Sequence, residues 1–195
     1  MTEAGGIRWP PRRRAVAAGL VFAAAAVLSA LTLLAVQWLA TPRAHSGGSG
    51  LGFVRLHRPA RDVSLPSLRG RGTIDLAGLA GKPIVMNFWS STCDPCKKET
   101  PALAGVARTE GGKVAFLGID TIDERQRAVA FVTRYRVPYP VAFDPRGTAA
   151  NRYGVPGLPV TVFLSPSAKT VVGENIGALT SRKLRVILRR LYGVG

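Results

Sequence analysis

IVMNFWSSTCDPCKKETP, residues 84–101, carries the only two cysteines of the 195-residue chain. Ile84 to Trp89 form an apolar run with the length of a buried strand, and the polar residues after it read as a turn into a helix. That turn delivers Cys93 to the start of the helix, with Cys96 three residues on. Positions three apart share a helix face, so the thiols can close a disulfide, and so short a ring is strained and easily reduced. Such a bond is a poor staple and a good redox switch.

Position along the helix sets the roles of the two sulfurs. At or just before the first turn, Cys93 meets unpaired backbone N–H groups and the positive end of the helix dipole, which favour a thiolate. Cys93 is therefore read as the attacking sulfur. Cys96, one turn inside, is expected to be more buried and to attack the mixed disulfide that Cys93 forms with a substrate. Pro95 suits the first turn, where the N–H it lacks has no helical partner. Asp94 opposes a thiolate by like charge whereas Lys97 and Lys98 favour it, which leaves the net shift unsigned. A structural disulfide normally joins distant parts of a chain, and a zinc site needs two further ligands. His45 and His57, the only histidines, both precede the strand and show no ligand spacing. Redox chemistry therefore leads, and no metal or cofactor is assigned.

The segment NFWSSTCDPCKKETP, together with YGVPGLPVTVFL at residues 153–164, resembles the thioredoxin superfamily and, within it, the membrane-anchored TlpA/ResA type of thiol-disulfide oxidoreductase. The likeness runs over about residues 62–191. It implies an α/β thioredoxin-like fold, a central mixed sheet flanked by helices, with an N-terminal β-hairpin, a TlpA-type insertion and one preceding transmembrane helix. It also implies that Cys93 is the nucleophile and Cys96 the resolving cysteine, and that Pro159 is cis and faces them, beside backbone able to pair with an extended substrate strand. Trp89, Thr92, Asp94, Pro95 and Leu158 are the expected substrate contacts. Glu99 matches the acid of the CxPCxxE pattern, to which proton management is ascribed, and its spacing puts it one turn beyond Cys96 on the same face. Without the resemblance, Glu99 reads equally well as a solvated helix carboxylate, and Pro156 and Pro159 as ordinary loop prolines.

The sequence departs from the wider pattern at two positions. Asn87 stands where cytosolic thioredoxins carry a buried Asp, as is common in the TlpA-like branch, so proton handling falls to Glu99 or water. Thr92 occupies the place of the usual Trp before Cys93, which makes the substrate-facing surface less aromatic. The peroxiredoxin arrangement of threonine-x-x-cysteine is also missing.

Ahead of this domain, residues 1–14 are short and basic, with Arg8, Arg12, Arg13 and Arg14, and residues 15–40 carry no charge. That stretch exceeds both the roughly 20 residues a helix needs to cross a bilayer and the ~7–15 residue core of a cleaved signal. The expectation is an uncleaved signal anchor, with the Arg cluster cytoplasmic, Trp38 at the far interface and the catalytic domain outside; its alanine content leaves cleavage near residues 40–44 open. TPRAHSGGSGLG (41–52) opens a flexible tether that extends to residue 58, and the thioredoxin-like domain is expected over residues 59–195.

Within the domain, residues 63–83 read as two short strands about a turn at Arg69–Gly72, then a brief helical turn. The helix after the cysteines is expected to reach about Arg108 with a kink at Pro101. A strand at Lys113–Ile119 follows, then an amphipathic helix over residues 123–135 with Ala128, Phe131, Val132 and Tyr135 at helical spacing. A short strand at Tyr139–Phe143, a turn and helix over 144–153, and a hairpin ending at Ile176 lead to a last helix capped by Thr180, with Leu184, Ile187, Leu188 and Leu191 as its buried stripe.

The formal net charge is +16, of which residues 51–195 hold +12 from 22 basic and 10 acidic side chains. Such a field attracts anionic lipid or acidic partners, and a solvated basic surface is its default reading. The basic residues are scattered and form no nucleic-acid motif, so nucleic acid is set aside. The reading is an extracytoplasmic, membrane-held reductase of disulfides in partner proteins. Apocytochromes c are the substrates the resemblance implies, and a membrane thiol carrier is the electron donor that an oxidising compartment requires. Its rivals are a disulfide-donating oxidase of the same fold and a thiol-based metal or haem carrier.

Overall fold

The structure, a computed structural model, describes residues 27–32 and 52–194. Residues 27–32 are helical with Val27, Leu28 and Leu31 exposed. The rest of the expected 15–40 anchor, the 1–14 tail and residues 41–51 lie outside the described residues. Among the described residues no helix is long and apolar enough to cross a membrane.

The domain runs β1 (Gly52–Pro59), β2 (Ser64–Pro66), β3 (Thr73–Asp75), a 3-10 turn (Leu76–Leu79), β4 (Ile84–Trp89), α1 (Asp94–Glu110), β5 (Ala115–Thr121), α2 (Arg125–Arg134), β6 (Val141–Asp144), α3 (Thr148–Tyr153), β7 (Val160–Leu164), β8 (Thr170–Ile176) and α4 (Ser181–Tyr192). Six strands form one sheet in the order β1-β8-β7-β4-β5-β6, and β2 and β3 form the expected hairpin. β4, β5 and β6 are parallel, while β7, β8 and β1 run antiparallel, so the sheet is mixed. This is the thioredoxin-like arrangement.

Burial on both faces explains why β4 reads as an apolar run, interrupted only by Asn87. Ile84, Met86 and Phe88 pack with Leu117, Ile119, Val160 and Val162 on one side. Val85 packs with Leu103, Val106, Phe163, Leu184 and Leu188 on the other, the side covered by α1 and α4. Strand alternation therefore turns Asn87 toward α1 as well. Thr180 caps α4 as expected, its hydroxyl oxygen accepting the Lys183 N–H at 3.2 Å. Pro101 stands inside α1, which continues to Glu110.

The tether is shorter than its composition indicates, because residues 52–58 belong to β1 at the sheet edge, paired with β8. Phe53 meets the Phe163 ring edge-on at 5.9 Å, and Arg58 pairs with Glu174 at 3.0 Å. Gly173 makes room for this: a Cβ there would lie 2.7 Å from Phe53 Cε2. An edge strand tolerates charge on its open side, so Arg55, His57 and Arg58 gave it the look of a linker. The strands expected at 113–119 and 139–143 also sit two residues and one to two residues later, at Ala115–Thr121 and Val141–Asp144. That shift buries Asp120 and Thr121 inside β5.

Candidate active site

β4 ends at Trp89, and Ser90–Thr92 turn the chain into α1. Cys93 is the N-cap residue, with extended backbone (φ −80°, ψ 110°) and a sulfur that accepts the Cys96 N–H at 3.2 Å. Its own N–H donates to the Ser90 carbonyl at 3.2 Å, and its carbonyl accepts the Lys97 N–H at 3.1 Å. The two sulfurs are joined, with Cα atoms 5.2 Å apart. Cys96 is wholly buried and Cys93 half-buried, so Cys93 is the sulfur a second protein can approach. Asp94 is tied to Lys97 at 2.7 Å, and this hydrogen bond and charge hold its carboxyl below the usual carboxylate range. Asp94 and Lys97 oppose each other's effect on Cys93, so Lys98 and the helix N-terminus remain to favour a thiolate there.

Glu99 is not the solvated carboxylate that spacing alone allowed. It is 1% exposed; Oε1 accepts Asn87 Nδ2–H at 2.8 Å, and Oε2 accepts the Leu179 N–H at 2.9 Å. Asn87 reaches it from β4 and also donates to Thr161 Oγ1 at 3.1 Å. Burial pushes the Glu99 carboxyl up to about 7, against the lowering effect of those two donors. A group that changes protonation near neutrality therefore lies one helical turn from Cys96. Burial, and then the Glu99 charge, raise the Tyr139 phenol nearby.

Thr92, Asp94 and Pro95 are exposed around Cys93. The Leu158–Pro159 peptide is cis, Pro159 is buried, and Leu158 packs into the same cluster as Cys93. The Pro159 carbonyl accepts the Gly177 N–H at 2.9 Å. Trp89 needs correction as a substrate contact. It is 3% exposed and stacks on Phe131 with centroids 4.5 Å apart, so it supports the site from behind. Its place as the last residue of a strand buried on both faces is the physical reason.

Sequence reasoning missed Asp123. From the loop before α2 its Oδ2 accepts the Ser91 N–H and the Ser90 hydroxyl, and its Oδ1 accepts the Glu124 N–H at 2.7 Å. An acid just ahead of a helix reads as a local cap, and nothing in the sequence shows that it also clamps a loop about thirty residues upstream. A cleft of about 280 Å³ opens beside this clamp, lined by Ser91, Lys97, Arg127, Phe131, Arg134 and Tyr135 among others.

Residues 56–172 match the family model described as the AhpC/TSA family. The chain belongs to the AhpC/TSA family. It is 31% identical over 140 residues to "Thiol-disulfide oxidoreductase ResA" of Bacillus thuringiensis (strain Al Hakam), covering 71% of this chain and 79% of that relative. It is 36% identical over 142 residues to "Thiol:disulfide interchange protein DsbE" of Allochromatium vinosum, covering 70% and 77%. Among solved structures it is similar to a secreted Mycobacterium tuberculosis disulfide oxidoreductase homologous to E. coli DsbE, with a TM-score of 0.60, 30% identity and 66% and 96% coverage. This AhpC/TSA member is a thiol-disulfide oxidoreductase, and it carries a CxxC disulfide, Cys93–Cys96, at the head of α1.

Proposed function

We propose that the chain reduces disulfides in partner proteins outside the cytoplasm, held at the membrane by residues 15–40. In the reduced chain, the Cys93 thiolate attacks one sulfur of a partner's disulfide. A mixed disulfide forms, and the released partner thiolate takes up a proton. Cys96 then gives its proton to Glu99 and attacks Cys93 Sγ, which frees the second partner thiol and closes the Cys93–Cys96 bond. Two electrons pass from the chain to the partner, and a membrane thiol carrier restores the dithiol. The single observation that carries this reading is the asymmetry of the pair, with Cys93 approachable at the helix N-cap and Cys96 wholly buried behind it.

In this reading Leu158 and the cis Pro159 border the partner's extended strand, and Thr92, Asp94 and Pro95 meet its surface. Apocytochromes c, which must be reduced before haem attachment, are the proposed substrate class. Cys96→Ser, expressed in the full chain in its own membrane, is expected to accumulate mixed disulfides through Cys93 that a thiol reductant releases. Their absence would falsify the exchange mechanism. Equilibration with glutathione then tests direction: a potential well above that of thioredoxin would mean that the chain donates disulfides instead.

A further inference from the structure

Asp120 is a carboxyl that the fold buries without a donor. It lies wholly buried in β5, opposite Trp89 across the parallel ladder. Neither of its oxygens has a hydrogen-bond partner among the N–H and O–H groups of the described residues. An ionised carboxylate in that setting is among the costlier things a fold can hold. The side chain that acts on it most is another acid, Asp123, three residues on in the loop before α2. Two carboxylates so placed repel each other unless a proton lies between them.

The neighbours do not supply another solution. Asp144 on β6 adds negative charge, and its oxygens are already engaged by Thr121 Oγ1 and the N–H groups of Thr148, Ala149 and Ala150. Arg125 on α2 is the cation facing Asp120, yet its guanidinium donates to the Ser67 and Leu68 carbonyls. Arg127 faces Asp123 at 3.6 Å and Glu124 at 3.2 Å. Among the described residues, no group of three or more of these acids, histidines or cysteines is placed to hold a metal ion.

We infer that Asp120 holds a proton at neutral pH and donates it to Asp123, and that this acid pair positions the Ser90–Ser91 turn, and through it Cys93, for disulfide exchange. Burial, then the Asp123 charge, push the Asp120 carboxyl up to about 8. Burial also raises Asp123, but the hydrogen bonds it accepts from the Ser90–Ser91 turn and from the Glu124 N–H more than offset this and leave it below its ordinary value. The proton therefore rests on Asp120. While it stays there, Asp123 Oδ2 anchors the turn, and the Ser90 carbonyl in turn holds the Cys93 N–H. Once Asp120 ionises, repulsion drives the Asp123 carboxylate off those donors and the turn loosens.

The inference rests on the exchange activity at Cys93, and the test separates the two. Cys93 alkylation by iodoacetamide in the reduced full chain, and urea unfolding of the oxidised full chain, are followed over about pH 5 to 10 for wild type, Asp120→Asn and Asp123→Asn. Asn at 120 keeps a donor toward Asp123 but cannot ionise. Between about pH 5 and 8, the folding equilibrium constant of Asp120→Asn relative to wild type is expected to rise roughly tenfold per pH unit, then level off. Wild-type alkylation is expected to show an inflection near pH 8 besides that of the thiol, lost in Asp120→Asn and moved to lower pH in Asp123→Asn. A ratio that is flat with pH, or an inflection that persists unmoved in both variants, overturns the inference. Failure of the chain to reduce insulin at any pH would sink the exchange reading instead, while the unfolding ratio still judges the acid pair.

Discussion

Replacing Glu99 by Gln separates the two things that this side chain does. In the oxidised chain its carboxyl titrates at about 7 rather than 4.5, chiefly because it is buried. Between those values the folded chain holds a proton that the unfolded chain has released, so the stability from this group is complete at the acid end and lost as pH rises toward 7. At about 1.4 kcal/mol per pH unit, the loss is roughly 3 kcal/mol. Gln cannot titrate and removes that slope. Its carbonyl still accepts from Asn87, but its amide NH2 must face the Leu179 N–H, donor against donor, at a cost of about 1–3 kcal/mol at every pH. Glu99→Gln is therefore expected to be less stable than wild type by about 1–3 kcal/mol near pH 4.5, and equal to it or slightly more stable near pH 8. Urea unfolding with the disulfide intact measures this directly. A difference that stays constant across that range would refute the buried, near-neutral Glu99 on which its proton role depends.

Two further outcomes test other parts of the molecule. Phe53→Ala removes a half-buried ring from the edge strand and is expected to cost about 2 kcal/mol. Gly173→Ala alone should cost about 1–3 kcal/mol through the clash with that ring, but markedly less in the Phe53→Ala background; additive costs in a urea double-mutant cycle would count against β1 as drawn. Asn87→Asp replaces the Glu99 donor with a second buried acid. It is expected to destabilise by about 1–3 kcal/mol more at alkaline than at acidic pH, and an equal effect at both ends would contradict the Asn87–Glu99 contact.

Much of the fold was legible because strong local signals agreed with one another. The apolar β4, the turn after it and Cys93 at a helix start follow from residue types at fixed spacing, as do the Thr180 cap and the stripe of α4, whereas the cis Leu158–Pro159 was legible only through the resemblance to thioredoxin-like proteins. The edge strand β1 was not legible, since its arginines and histidine suit solvent as well as they suit the open side of a sheet. Trp89 was misjudged for a related reason. An aromatic next to a reactive turn fits a binding surface or a support behind it, and only Phe131, forty-odd residues on, decides which.

By itself the sequence placed two sulfurs, at positions 93 and 96, at the start of a helix, and that placement is the basis of the proposed roles of nucleophile and resolver. Tertiary structure decided which acids are buried near them. Glu99 becomes a near-neutral group because α1 buries it, with only Asn87 and Leu179 donating to it, and Asp120 is buried because β5 runs two residues past its apolar stretch, close to the Asp123 that holds the Ser90–Ser91 turn. Protonation depends on burial and on neighbours distant in the chain, and neither is written in local residue order.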